Sequence, residues 1–93
     1  MTVATGLSLL ILYVSDIDAS REFYTGLGLH LVREQHGRGP EHYSARLDGG
    51  LVLELYPCGS GPVTRTRLEL RVPDAAPAAA QDPDGNIVLV LAA

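Results

Sequence analysis

Two histidines and their acidic neighbours are spaced so that they could bind a metal ion. His36 and His42 flank residues 37–40, a glycine-rich segment that ends in proline and is predicted to turn. If the flanking segments pair as a hairpin, the imidazoles come together, and Glu34 or Glu41 could complete a surface metal site. Such a site requires several oriented ligands, so solvated hairpin histidines are the alternative interpretation. The residues alone leave both interpretations open.

No catalytic residue can be identified from the sequence, and the catalytic residues stay unknown. Cys58 is the only cysteine, so no intrachain disulfide is expected. It lies in the loop PCGSGP without a histidine paired to it in sequence, so a nucleophilic role is not predicted. His30 follows a predicted helix end and has no evident partner. Candidate binding residues are instead charged and aromatic side chains of the predicted strands.

Composition excludes several classes of protein. The chain has 93 residues, which favours one domain, and its 46% apolar residues argue against disorder. Seven arginines and no lysine stand against eleven acidic residues, and a net charge of −4 argues against binding to nucleic acid or a membrane surface. The arginine-only usage, with abundant alanine, glycine, leucine and valine, indicates a bacterial, GC-rich genome.

The longest apolar run, Leu9 to Leu12, is too short to span a bilayer. No arginine or lysine precedes this run, and Asp16 and Asp18 follow it without a cleavage pattern, so it is not predicted to be a signal peptide. We therefore expect a cytoplasmic protein.

The spacing of apolar residues predicts six strands and one helix. The segment GLSLLILYV is apolar at nearly every position, which is typical of a strand buried on both faces. The other strands are predicted at residues 29–36, 41–47, 51–56, 64–72 and 86–91. Residues 73–85 are predicted to be linker and turn, because three prolines limit any helix there to about one turn.

The predicted helix lies in SDIDASREFYTGLG. Ser15 or Asp16 can cap its first turn, and Gly28 is placed to end it in a left-handed conformation. Its apolar stripe is predicted to consist of Ala19, Phe23 and Leu27, with Tyr24 beside them.

Three segments together resemble the βαβββ module of the vicinal oxygen chelate superfamily, which includes glyoxalase I, extradiol dioxygenases and bleomycin-resistance proteins. They are YVSDIDASREFYTGLGLHLV, LVLEL and the terminal DPDGNIVLV. The resemblance covers most of residues 7–72 and 82–91. It implies an α+β fold and a single domain over residues 1–93. Residues 1–57 would form a complete module, and residues 63–93 a shortened second module of two strands that lacks a helix and two strands.

The resemblance also implies where a metal would lie. Metal-using members bind one divalent ion through the first and last strand of each module, and the matching positions here are Leu9, Glu54, Arg67 and Leu89. Only Glu54 can be a ligand, and catalytic sites need three or more protein ligands in most cases. The prediction is therefore no metal on the family pattern and no cofactor.

Without a metal site, the resemblance still implies a cup formed by the strands, and the surface of this cup could bind a ligand. Strand alternation directs side chains from the first, fourth, fifth and last strands toward this cup. The predicted ligand-binding residues are Tyr13, Glu54, Tyr56, Arg67, Glu69 and Leu89. Arg67 could bind an anionic ligand group and Glu54 a cationic one. The alternatives are that Glu54, Arg67 and Glu69 pair with one another, and that the two tyrosines serve only in packing.

The expected function is metal-free binding of a small molecule, without catalysis, in a cup that a homodimer completes. One alternative is a metal-dependent lyase or dioxygenase of the same superfamily, with ligands from a partner chain or from His36 and His42. Another is a degenerate module with only an oligomerisation role.

Overall fold

The protein, described by a computed structural model over residues 2–93, forms two small β-sheets and one helix. This confirms the predicted α+β fold. In chain order the elements are β1 (Leu9–Val14), α1 (Ile17–Gly26), β2 (Val32–Glu34), β3 (His42–Arg46), β4 (Val52–Pro57), β5 (Arg67–Val72), β6 (Ala78–Gln81) and β7 (Ile87–Ala92). Among the described residues, the one helix has ten residues, too few to cross a membrane.

The first sheet has the strand order β1-β4-β3-β2. β1 and β4 run parallel, whereas β3 is antiparallel to both β4 and β2. Alternation along β1 buries Leu12 and Val14 completely against the helix side of the sheet, while Leu9 and Tyr13 on the opposite face are 47% and 46% exposed. The apolar first strand is therefore buried on one face only within a single chain.

Helix α1 packs against β3 and β4 and begins at a side-chain cap. Asp16 is the N-cap, and its Oδ1 accepts hydrogen bonds from the backbone amides of Asp18 and Ala19. Gly28, with φ +114°, follows the helix end as predicted. The buried face is centred on Ser20 and Tyr24, both fully buried. It is thus shifted by one residue from the predicted stripe, whose members Ala19, Phe23 and Leu27 are half-buried. The Tyr24 hydroxyl bonds to Asp82 in the turn of the second sheet.

The second sheet has the order β5-β7-β6, with β5 parallel to β7 and β6 antiparallel to β7. The parallel pair is as expected, but the structure corrects the strand count of the second module from two to three. β6 lies within residues 73–85, which were predicted to be linker. Its sequence, Ala-Ala-Ala-Gln, has neither strand propensity nor an apolar alternation, and β7 is its one partner. Backbone pairing at a sheet edge therefore creates this strand without a side-chain signal.

The two sheets repeat one topology. In each, the first and last strands are parallel neighbours, and the preceding strand lies antiparallel on the far side of the last. By this order the second module lacks the counterparts of α1 and β2 and keeps the other three strands.

One hydrophobic core joins both sheets. Leu12, Leu55 and Tyr24 from the first module lie in the same cluster as Leu70 and Val88 from the second. Helix α1, which packs on β3 and β4, thus reaches the second module through Tyr24.

The turn between β6 and β7 is stabilised by hydrogen bonds to its own side chains. Oδ1 of Asp82 accepts from the backbone amides of Asp84 and Asn86, and Gly85 adopts φ +90°. Asn86 Oδ1 in turn accepts from the amide of Thr66, just before β5, at 2.7 Å. The turn therefore aligns the two parallel strands of the second sheet.

Candidate functional site

The outward face of the first sheet, which we call the cup face, carries the candidate site. Cross-strand partners share a face of a sheet, so the strand registers define this face row by row. One row joins Ile11, Glu54, Ser44 and Val32 across all four strands. The neighbouring rows join Leu9, Val52 and Arg46 on one side and Tyr13 with Tyr56 on the other.

A cavity of about 500 Å³ lies on this face. Its lining residues are His30, Val32, Glu34, His36, Ser44, Arg46, Val52 and Glu54. Its volume is in the range of small-molecule sites, and its lining mixes apolar side chains with a few charged and polar groups, as such sites do. Glu54 is the predicted site residue that lines it.

An aromatic row runs along one end of the cup face. The rings of Tyr13 and Tyr56 have centroids 6.2 Å apart at an interplanar angle of 53°. Tyr56 then stacks on the imidazole of His42 at 4.2 Å and 10°, and the His36 ring lies 5.1 Å beyond it. Because Tyr13 is half exposed, this row offers a surface on which a planar ligand group can stack.

The imidazole of His42 is buried, with only 1% of its side chain exposed. Its Nδ1 lies 3.2 Å from the carbonyl oxygen of Pro40, which can only accept, so this contact favours the tautomer with the hydrogen on Nδ1. The other nitrogen, Nε2, faces three oxygens: the Tyr56 hydroxyl at 3.4 Å, Glu34 Oε1 at 3.5 Å and Glu54 Oε2 at 3.6 Å. One buried nitrogen is thus surrounded by a phenol and two carboxylates.

Partial burial raises the pKa of Tyr56, and the nearby carboxylates of Glu54 and Glu34 raise it further. The phenol therefore stays protonated at neutral pH. It can donate a hydrogen bond to His42 or to a bound molecule.

The structure places Arg67, Glu69 and Leu89 on the second sheet, apart from the aromatic row. Glu69 and Leu89 are cross-strand partners on β5 and β7. Glu69 lines a second cavity of about 460 Å³, which shares His30 and Arg46 with the first. Arg67 and Leu89 line neither cavity. The six predicted residues therefore form two groups rather than one pocket.

The alternative in which Glu54, Arg67 and Glu69 pair with one another is wrong. Over residues 2–93, no ion pair joins any two of these three side chains. Glu54 instead lies beside His42, and Arg67 and Glu69 are exposed on β5.

The hairpin histidines do come together. Glu34, His36 and His42 each offer a ligand atom, and these atoms all lie within 4.8 Å of one another. Glu34 takes part rather than Glu41, because Glu41 forms an ion pair with Arg33 on the other face. Of the four positions matched to the family's metal ligands, Glu54 remains the one with a ligating side chain.

Val32, Ser44 and Arg46 are cup-face residues that the sequence interpretation did not include among the candidates. The signal for two of them was present, since residues 42–46 alternate and their even-numbered side chains share a face. Pairing this strand with the Glu54 strand through the Asp48-Gly49-Gly50 turn places Ser44 beside Glu54.

Comparisons with known proteins agree with this architecture. A search of curated protein sequences finds no significant match. Two solved structures described as oxidases share the fold: ChaP-H2, with 16% identity over 98% of this chain and 95% of that chain at TM-score 0.71, and ChaP-H1, with 20% identity over 97% of each chain at TM-score 0.71. TnmS3, an antibiotic-binding protein from Streptomyces sp. CB03234, has 19% identity over 97% of each chain at TM-score 0.61.

The family comparison covers most of the chain. The family model described as "Glyoxalase/Bleomycin resistance protein/Dioxygenase superfamily" matches residues 6–79, which includes the whole first sheet and the start of the second. The chain therefore belongs to the glyoxalase/bleomycin resistance protein/dioxygenase superfamily.

Proposed function

We propose that this protein binds a small molecule on its cup face, in the manner of the bleomycin-resistance members of its superfamily. The observation that carries the proposal is the 500 Å³ cavity beside the row of Tyr13, Tyr56 and His42. The fold likeness to TnmS3, which is described as antibiotic-binding, adds support. On this proposal a ligand is sequestered and not chemically changed.

The lining of the site favours a ligand that is planar and carries a positive group. Tyr13 and Tyr56 offer ring faces for stacking, and the carboxylates of Glu34 and Glu54 border the cavity. A cation placed between two carboxylates is attracted strongly in a partly desolvated site. Arg46 lines the same cavity and would accommodate an anionic substituent of the ligand.

Arg67, Glu69 and Leu89 could contact a ligand only if the cup extends over the second sheet. We propose that a homodimer provides this extension. Leu7 and Leu9, before and at the start of β1, are 67% and 47% exposed, and Ile87 on β7 is 38% exposed. Exposed apolar side chains are typical of a protein interface, and a second copy would cover them.

Sedimentation of the purified chain tests the dimer. Wild-type protein is expected to sediment as a dimer, and Leu9→Asp as a monomer, because a carboxylate would be buried in the interface. Thr25→Asp, which places the same charge on the exposed surface of α1, is the matched control and stays dimeric. A monomeric wild type at all concentrations contradicts this part of the proposal.

The chain's domain division, its family metal positions and its location in the cell can also be proposed. We regard residues 1–93 as one domain, with a complete module at 1–57 and a shortened one at 63–93, because a single core spans both sheets. We further propose that the four family positions hold no metal, since Leu9, Arg67 and Leu89 cannot supply ligands. A bacterial cytoplasm is the proposed location, on the composition and the single cysteine.

A second candidate function is a metal-dependent lyase or oxygenase of the same superfamily. The clustering of Glu34, His36 and His42 is the observation that favours it. It differs from the first proposal in one measurable respect, since an enzyme releases a changed product whereas a binding protein returns its ligand intact. A third candidate is an oligomerisation unit, which would bind no small molecule at all.

A thermal-shift screen tests the binding proposal. Untagged protein is heated in EDTA with a panel of planar and cationic antibiotics that includes metal-free bleomycin. A ligand at about 100 times its Kd stabilises the folded state by about 2.7 kcal/mol. For a domain of this size that corresponds to a rise in Tm of roughly 10 °C or more. A panel without any hit favours the oligomerisation unit.

Two variants of one residue then test the location of the site. Tyr56→Leu removes the stacking surface and is expected to abolish the shift, whereas Tyr56→Phe keeps the ring and is expected to retain it. Circular dichroism of each variant checks that it is folded. An undiminished thermal shift for folded Tyr56→Leu would mean that the ligand binds elsewhere. Mass spectrometry of the recovered ligand distinguishes binding from turnover.

A further inference from the structure

The buried imidazole of His42 has an arrangement of neighbours that hydrogen bonding does not explain well. The three oxygens around Nε2 lie at 3.4, 3.5 and 3.6 Å. Hydrogen bonds from nitrogen to oxygen normally measure about 2.7–3.2 Å. Each contact is therefore long, although the nitrogen is buried and two of its neighbours are carboxylates.

These distances fit ligands that share a metal ion. Two ligand atoms bound to one tetrahedral zinc ion, at about 2.0–2.1 Å each, lie about 3.3–3.4 Å from one another. The separations of Nε2 from Glu34 Oε1 and Glu54 Oε2 are 3.5 and 3.6 Å, close to this tetrahedral edge. The ligand atom of His36 lies within 4.8 Å of those of Glu34 and His42, and the His36 side chain is exposed.

The second ring nitrogen of His42 supplies an independent indication. Histidines that bind metals usually donate their other N–H to a carboxylate or a backbone carbonyl, which fixes the tautomer and the ring orientation. Here Nδ1 lies 3.2 Å from the Pro40 carbonyl oxygen, and stacking on Tyr56 holds the ring plane. The Nε2 lone pair is thereby directed at the carboxylates before any ion binds.

Charge balance points in the same direction. Glu54 is only 13% exposed, and a buried carboxylate requires a positive partner. Among residues 2–93 the one ion pair that Glu54 makes within 4 Å is with His42, which also faces Glu34. A divalent cation would balance both carboxylates with His42 neutral.

We propose that Glu34, His36 and His42 form a binding site for a divalent transition metal of the zinc type, with Glu54 beside it. Two imidazoles and a carboxylate suit Zn²⁺, Co²⁺ or Ni²⁺ better than Mg²⁺ or Ca²⁺, which prefer oxygen ligands. The site lies on β2, β3 and the turn between them, whereas the family pattern uses the first and last strands of each module. It goes beyond the proposed function, because an ion can bind here whether or not the cup takes an organic ligand.

The position of the site gives it a consequence for the cup. Glu34 and His36 also line the 500 Å³ cavity, so a metal held by them would have a coordination position facing that cavity. Three protein ligands and one open position is the arrangement of exchangeable and catalytic zinc sites. A ligand with an oxygen or nitrogen donor could then bind the metal directly.

Calorimetric titration of untagged, EDTA-treated and dialysed protein with ZnCl₂ tests the proposal. One ion per chain is expected for the wild type. His36→Ala changes an exposed residue and is expected to weaken zinc binding at least about tenfold without unfolding the chain. Glu34→Gln is expected to act in the same direction. His42→Ala removes a buried side chain and can unfold the chain, so this variant is not used as a test.

Two matched controls make the result decisive. His30→Ala removes a histidine from the same cavity but outside the cluster, and Glu41→Gln removes a carboxylate from the same hairpin. Both are expected to keep wild-type zinc affinity. Zinc binding that is equally weak in the wild type and His36→Ala would overturn the proposal. Because the ligand screen is run in EDTA, its failure and the failure of the zinc titration are separate outcomes.

Discussion

The hydroxyl of Tyr24 donates a 2.7 Å hydrogen bond to Oδ2 of Asp82, 58 residues away in the chain. Both side chains are buried, with exposures of 0% and 4%. The bond connects helix α1 of the first module to the turn that starts β7 in the second. It ties the one helix found in residues 2–93 to the second module, which has no helix of its own in those residues.

Replacing Tyr24 by phenylalanine should therefore destabilise the whole chain. A hydrogen bond to a charged group contributes about 1.5–3 kcal/mol, and Asp82 keeps its other donors, so we expect a loss near 2 kcal/mol in the free energy of unfolding. Urea denaturation followed by circular dichroism measures it. Tyr43→Phe is the control, since the Tyr43 hydroxyl bonds to the exposed Asp18 and its loss should cost less. Equal losses in the two variants would show that the buried bond has no special role.

The same pair predicts how stability changes in acid. Burial alone would raise the pKa of Asp82, but hydrogen bonds from Tyr24, from the Asn86 side chain and from backbone amides outweigh it, so the pKa is lowered from 3.8. A lowered pKa means that the unfolded chain takes up the proton first as the pH falls. The stabilisation is complete at neutral pH and is lost as the pH falls from 3.8 through the lowered pKa.

Tyr24→Phe removes one of the bonds that lower this pKa. The fall in unfolding free energy between pH 5 and the acid range should therefore be smaller in the variant than in the wild type. Urea titrations at several pH values measure both slopes. Identical acid slopes would mean that Asp82 is not perturbed by Tyr24.

Two glycines near the end of α1 offer a matched test of the fold. Gly28 has φ +114°, and a Cβ there would meet Cγ1 of Val72 at 3.2 Å, whereas a Cβ at Gly26 would meet nothing within 4 Å. Gly28→Ala should cost about 1 kcal/mol or more, because alanine is strained at this φ and crowds the second sheet. Gly26→Ala, inside the helix, should be neutral or stabilising by about 0.5–1 kcal/mol. Thermal unfolding ranks the two, and a stabilised Gly28→Ala would contradict the close approach of residue 28 to Val72 on β5.

Local chemistry made much of the fold predictable. The Asp16 cap, the Gly28 stop and the strict alternation of residues 67–72 each follow from nearest neighbours, and each appears in the structure. β6 was not predictable in this way, because its alanines carry no pattern and its pairing with β7 comes from tertiary contact. The one-residue shift of the α1 stripe accompanies the bond of Tyr24 to Asp82, which is remote in sequence.

The candidate site was likewise predictable where it depends on strand alternation, and not where it depends on tertiary contacts. Tyr13 and Tyr56 were predicted to share the cup face, and the parallel register places them as partners. The sequence left open whether Glu34 or Glu41 joins His36 and His42, and only the folded hairpin shows that Glu34 does. The burial of His42, which stacks on Tyr56, could not be predicted from the sequence either. Arg67 stays a prediction, since its alternation on β5 matches the structure but it lines neither of the two cavities.

Nuclear magnetic resonance mapping of the bound ligand tests the central claim most directly. Protein labelled with ¹⁵N is titrated, in EDTA, with the antibiotic that gives the largest thermal shift, and amide shift changes are followed. The account predicts saturable changes concentrated at Val32, Ser44, Glu54 and Tyr56, with α1 unaffected. Changes confined to α1, or no saturable change for any member of the panel, would contradict the claim that the cup face binds a small molecule.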